Sequence, residues 1–70
     1  MTDEEKNLIK KEILTAYWQL PKIDNTKRYA MAINIGLNRA QRILNEKKEW
    51  LIEKEVYYTI VYIRDVINTN

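Results

Sequence analysis

Histidine, cysteine and serine are all missing, which leaves carboxylates, amides, arginines, lysines, threonines and tyrosines as the side chains that could do chemistry. Paired carboxylates can serve as general acid and base when a pocket pushes their pKa values apart. Here Glu12, Glu49, Glu53 and Glu55 lie among lysines at helical spacing, where solvated ion pairing is the ordinary role. No Gly-rich loop is present to cradle a phosphate, since Gly36 is the single glycine. A short helical chain also offers little room for the concave pocket in which catalysis is normally housed. The expectation is therefore no catalytic residue, no metal ligand and no cofactor.

Two groups of residues have the chemistry of contact instead. Trp50, Tyr57, Tyr58 and Tyr62, with Val61 beside them, are large amphipathic or apolar side chains concentrated in the last third of the chain. Tyrosine and tryptophan give wide contact area with few torsions to freeze, which suits a binding face. Arg28, Arg39 and Arg42 stand beside an amide series of Asn34, Asn38, Gln41 and Asn45. Arginine is enriched in interfaces, so Arg28, Asn38, Arg39 and Arg42 form a second candidate contact surface.

The same arginines raise a nucleic-acid alternative. Ala32-x-x-x-Gly36-Leu37-Asn38 resembles the middle of a helix-turn-helix, with a small residue four before the turn glycine. Arg39, Gln41 and Arg42 would then be placed to read bases or hold phosphates. The pattern departs at Arg42, which falls where a buried aliphatic is expected, with Ile43 one position late. A continuous helix through Gly36 fits the apolar periodicity better, so DNA binding is the alternative and protein binding the first expectation.

These groups must be positioned by a small scaffold. Seventy residues make a single domain, residues 1–70, that buries only roughly 60% of its unfolded surface. Net charge is +2, unevenly placed: residues 22–48 hold seven basic residues against Asp24 and Glu46. The absence of cysteine fits a reducing compartment. Met1–Lys6 is polar, and the longest apolar run is far shorter than the ~20 residues of a membrane span, so a cytoplasmic protein without a membrane segment is expected.

One proline and one glycine are too few punctuators for a β domain. Thr2-Asp3-Glu4-Glu5 has the spacing of a capping box, and Ile9, Ile13, Ala16, Tyr17 and Leu20 then follow on one helical face. Pro21 disfavours helix at Leu20, which predicts a first helix over residues 3–19. Asp24, Asn25 and Thr26 offer N-caps for a second, over 25–45, with Tyr29, Ile33, Gly36, Leu37, Ala40, Ile43 and Leu44 as its apolar stripe. Gly36, costly inside a helix, predicts a close approach by another helix.

Val56–Ile63 is rich in β-branched and aromatic residues, yet the chain holds no second strand to pair with it. Ile52, Val56, Ile60, Ile63 and Ile67 recur at helical spacing, predicting a third helix over 47–67. If the second and third helices were one rod, their stripes would face roughly 160° apart, given about 100° per residue. A break near Asn45–Glu49 lets both face one core. The expected fold is all-α, a compact three-helix bundle; the alternative fuses helices two and three into one long helix. Twelve apolar or aromatic residues between Trp50 and Ile67 exceed what two short neighbours can cover, so a homodimer or a protein partner is expected.

The Asn/Lys/Ile-rich composition and the run from Tyr29 to Leu44, with Gly36-Leu37, Ala40 and Ile43-Leu44 in series, resemble small accessory proteins of bacteriophages and other mobile elements of low-GC bacteria. The resemblance covers one helix and carries over no functional residue. It implies a small regulator or inhibitor acting on a host or phage protein.

Overall fold

The capping box begins a helix, and the proline stop and the left-handed asparagine each end one, where local chemistry requires. In the computed structural model, which describes residues 2–45 and 54–69, Thr2 is the N-cap of α1 (Asp3–Gln19). The Glu5 backbone N–H donates to Thr2 Oγ1 at 3.2 Å, and the Thr2 N–H donates to Glu5 Oε1 at 3.1 Å. Leu20, directly before Pro21, is extended, and its N–H still reaches the Ala16 carbonyl at 3.2 Å. Of the three possible N-caps for α2 (Asn25–Leu44), Asp24 takes the role, accepting from the Thr26 N–H at 3.1 Å. Asn45 ends α2 in the left-handed conformation, at φ 56° and ψ 39°. That residue breaks the rod, so the fused-helix alternative does not form.

The third helix, α3 (Lys54–Thr69), contains Val56–Ile63 entirely, so helical periodicity prevails over β-propensity. The expected start at residue 47 falls outside the described residues, as does Ile52; the far end runs two residues past the expected 67. No strand occurs among the described residues.

The core is assembled around α1. Ile9, Ile13, Ala16 and Tyr17 are buried on it, meeting Ala32, Leu37 and Ala40 from α2 and Ile63 and Ile67 from α3. Ile9, Ile13 and Ile63 are completely buried, each contributing about 1.5–3 kcal/mol of hydrophobic free energy. Contacts between α1 and α2 run in opposite chain directions, with Arg28 at Tyr17 and Gly36 at Ile13. Those between α1 and α3 run in the same direction: Lys6 and Lys10 border Tyr58 and Tyr62, whereas Tyr17 and Trp18 border Ile67 and Asn68.

Two details of the stripes differ from the periodicity reading. On α2 the innermost row is Arg28, Ala32, Gly36 and Ala40, four residues apart, with Leu37 adjacent. Tyr29, Ile33 and Leu44 become half-buried flanks, and Ile43, expected in the core, is 59% exposed. The reason is steric: the row of small side chains lets α2 come closest to α1, which rotates the larger aliphatics to the sides. On α3 the inward row is Thr59, Ile63 and Ile67, with Ile60 half-buried. The buried Thr59 was not part of the expected stripe. The side-chain surroundings of Val56 lie outside the described residues.

Candidate protein-binding surface

The helical register that turns Thr59, Ile63 and Ile67 inward turns the tyrosines of α3 outward. Tyr57, Tyr58 and Tyr62 are each more than half exposed, and Val61 is half-buried. Tyr58 and Tyr62 stand four residues apart on one side of α3; Tyr57 and Val61 stand four apart on the other. The rings of Tyr57 and Tyr58 meet edge to face with centroids 6.1 Å apart, which joins the two sides into one aromatic surface.

α1 supplies the positive edge of this surface. Lys10 Nζ stands 4.4 Å from the centroid of the Tyr62 ring, a cation–π contact. Lys6, Lys10, Tyr58, Thr59 and Tyr62 line an open groove of about 320 Å³ along the α1–α3 seam. Sequence reading did not single out Lys10, because its relation to Tyr62 depends on α1 and α3 running in parallel. Trp50 lies outside the described residues.

The arginine and amide face is not one surface. Arg39 is exposed and donates from Nη1 to Gln19 Oε1 at 3.0 Å, at the C-terminal end of α1. Lys10, beside the tyrosines, is nine residues earlier on that helix, about 13 Å away along the axis. Arg42 is exposed and Asn38 half-buried. Arg28 departs from the expected contact surface altogether, being only 7% exposed. Its Nε donates to the Tyr17 carbonyl at 3.0 Å, and its guanidinium carbon stands 4.0 Å from the Tyr17 ring centroid and 5.5 Å from that of Trp18. α1 has no basic residue in its own last turn, so Arg28 brings a cation to the negative end of that helix from α2.

Gly36 is no turn either. α2 continues through it, and a Cβ there would stand 2.6 Å from Ile13 Cα, so the glycine serves helix packing. The helix-turn-helix pattern around Ala32–Asn38 fails at its turn. Among the described residues, no group of three His, Cys, Asp or Glu side chains could hold a metal ion, and no helix is long and apolar enough to cross a membrane.

Comparisons of the chain with protein-family models, with curated proteins and with solved structures gave no significant match. The functional reading therefore rests on the surface itself.

Proposed function

We propose that this chain is a non-catalytic protein-binding module, a small regulator or inhibitor of the phage or mobile-element kind, which acts in the cytoplasm by covering a surface of a host or phage protein. One observation carries the reading: Tyr57, Tyr58 and Tyr62 stand together in solvent on α3, with Lys10 against Tyr62. Three exposed aromatics on a helix face form a contiguous patch of the sort that marks interaction sites. Each tyrosine adds area at low entropic cost, and its hydroxyl reaches the rim of an interface. The lysines of the seam favour a partner whose contacting surface is acidic. A second copy of the chain satisfies the same coverage argument and is the competing occupant.

The test is affinity capture with wild type beside a Tyr57→Glu/Tyr62→Glu double variant, run with light scattering of each. A discrete partner retained by wild type and lost by the variant, with both helical by circular dichroism, supports the reading. Equal capture by both proteins overturns the assignment to α3. A wild type that is dimeric, and captures nothing beyond itself, replaces the regulator with a self-associating subunit.

A further inference from the structure

The second feature of the molecule without an evident use is the cavity beside Arg28. It has a volume of about 370 Å³, opens to solvent, and is lined by Tyr17, Trp18, Lys22, Ile23, Asn25, Arg28, Ile67 and Asn68. It forms where the α1–α2 connection meets the last turns of α3, and it shares no residue with the tyrosine groove.

Arg28 is the anomaly. A charged side chain this deeply buried is normally paired with a carboxylate. No salt bridge to Arg28 occurs among the described residues, and no lining residue of the cavity is acidic. The side chain makes one hydrogen bond, through Nε, to the Tyr17 carbonyl. That bond and the stacking on Tyr17 hold the guanidinium plane in place, yet they occupy only one of its five N–H donors. None of its nitrogens is buried without a partner, so the donors that capping α1 leaves unused are open to the cavity rather than orphaned in the core.

We infer that this cavity binds a phosphate group. A fixed guanidinium is the donor geometry that meets two phosphate oxygens at once. Lys22 adds a second positive charge at the rim, matching the charge of a phosphate dianion, and Asn25 and Asn68 add amide donors. Trp18, 59% exposed at the same opening with Arg28 over one side of its ring, offers its other indole face to whatever flat group carries the phosphate. The shared chemistry is the phosphate; free phosphate and a nucleotide are its two small-molecule sources.

The experiment is an NMR titration of the full chain, following the Arg28 Nε–H and Trp18 indole N–H signals. The probes are inorganic phosphate, adenosine monophosphate, and sodium chloride at matched ionic strength. Saturable shifts at both signals with phosphate, absent with chloride, are expected. Tighter binding of the nucleotide assigns the flat group to Trp18; equal binding assigns the site to phosphate alone. Lys22→Ala, an exposed change that leaves the core untouched, is expected to weaken phosphate roughly threefold. Arg28→Lys keeps the charge and removes the planar donor set, and is expected to weaken it roughly tenfold or more. Phosphate shifts no larger than those with chloride, or a phosphate isotherm unchanged by Lys22→Ala, would overturn the inference; the latter variant reads the site even if Arg28→Lys fails to fold.

Discussion

Gly36 and Ile13 meet backbone to backbone: a Cβ on Gly36 would lie 2.6 Å from Ile13 Cα and 2.7 Å from Ile13 N. Real Cβ atoms do not approach main-chain atoms so closely, and neither partner atom can swing aside as a flexible side chain can. Gly36→Ala therefore sets two effects against each other. The alanine gains about 1 kcal/mol of helix propensity, and the overlap costs about 1–3 kcal/mol of overpacking. Because the overlap is with main chain, the overlap wins and net destabilisation is expected, larger still for Gly36→Leu. Urea unfolding of the three proteins checks the order, and a more stable Gly36→Ala would refute the close approach.

The capping box makes α1 sensitive to acid. The Thr2 backbone N–H, and after it the Thr2 hydroxyl, hold the Glu5 carboxyl below its ordinary value near 4.5. A folded-state pKa below the unfolded one gives stability that is complete above the unfolded pKa and disappears as pH falls through the folded one. Fraying of α1 is thus expected as pH drops below about 4.5, and Glu5→Gln should show less of that pH dependence. Thr2→Ala should cost about 1 kcal/mol at neutral pH through loss of the cap. Hydrogen exchange of the first-turn amides against pH is the measurement.

Tyr29 ties α2 to α3, its hydroxyl donating to the Ile60 carbonyl at 2.7 Å. Burial, with a smaller contribution from Asp65 and against the opposing effect of Arg64, raises its pKa above the ordinary 10.0. A raised folded-state pKa means stability that is complete below about pH 10 and lost as pH rises through the higher folded value, when the donated proton leaves. Tyr29→Phe should cost about 1 kcal/mol at neutral pH. The gap between wild type and variant should then narrow above pH 10, as chemical denaturation at both pH values would reveal. A gap that stays constant would mean that the Tyr29 pKa is the same in the folded and unfolded chain.

The oligomeric state follows from coverage of α3. Tyr57→Glu and Val61→Glu each place a charge on the side of α3 turned away from Thr59, Ile63 and Ile67. Light scattering of wild type at high micromolar concentration should show a dimer, or a monomer that binds a hydrophobic dye. Both variants should be monomeric and equally helical. A monomeric wild type that binds no dye would remove the aromatic surface as an interface.

Much of the fold was legible because its signals are local. Thr2 and Glu5 lie within one turn of each other, Leu20 is constrained by the proline bonded to it, and Asn45 adopts its left-handed conformation on its own side chain's terms. The inward face of α1 was equally legible, since Ile9, Ile13, Ala16 and Tyr17 follow one another at helical spacing on one side, and Trp18, nearly opposite them, stays exposed. The tyrosines of α3 read as exposed because the aliphatic residues of that helix already claim the core.

The rotation of α2 could not be read in this way. Its apolar residues span a broad arc, and periodicity alone assigned Ile43 to the core and left Arg28 for the surface. The three-dimensional packing decided otherwise: the lowest ridge, Ala32–Gly36–Ala40, is the one that lets two backbones touch, and Arg28 continues that ridge to the end of α1. The sequence by itself thus determined the bounds of α1 and, to within a residue, of α2, and that one face of each helix must be buried, because backbone hydrogen bonds and caps are settled within a few residues. Only the tertiary structure decided which edge of α2 turns inward, that α1 and α3 run in parallel so that Lys10 meets Tyr62, and that Arg28 lies in a cavity, because each depends on the shape of a neighbour distant along the chain.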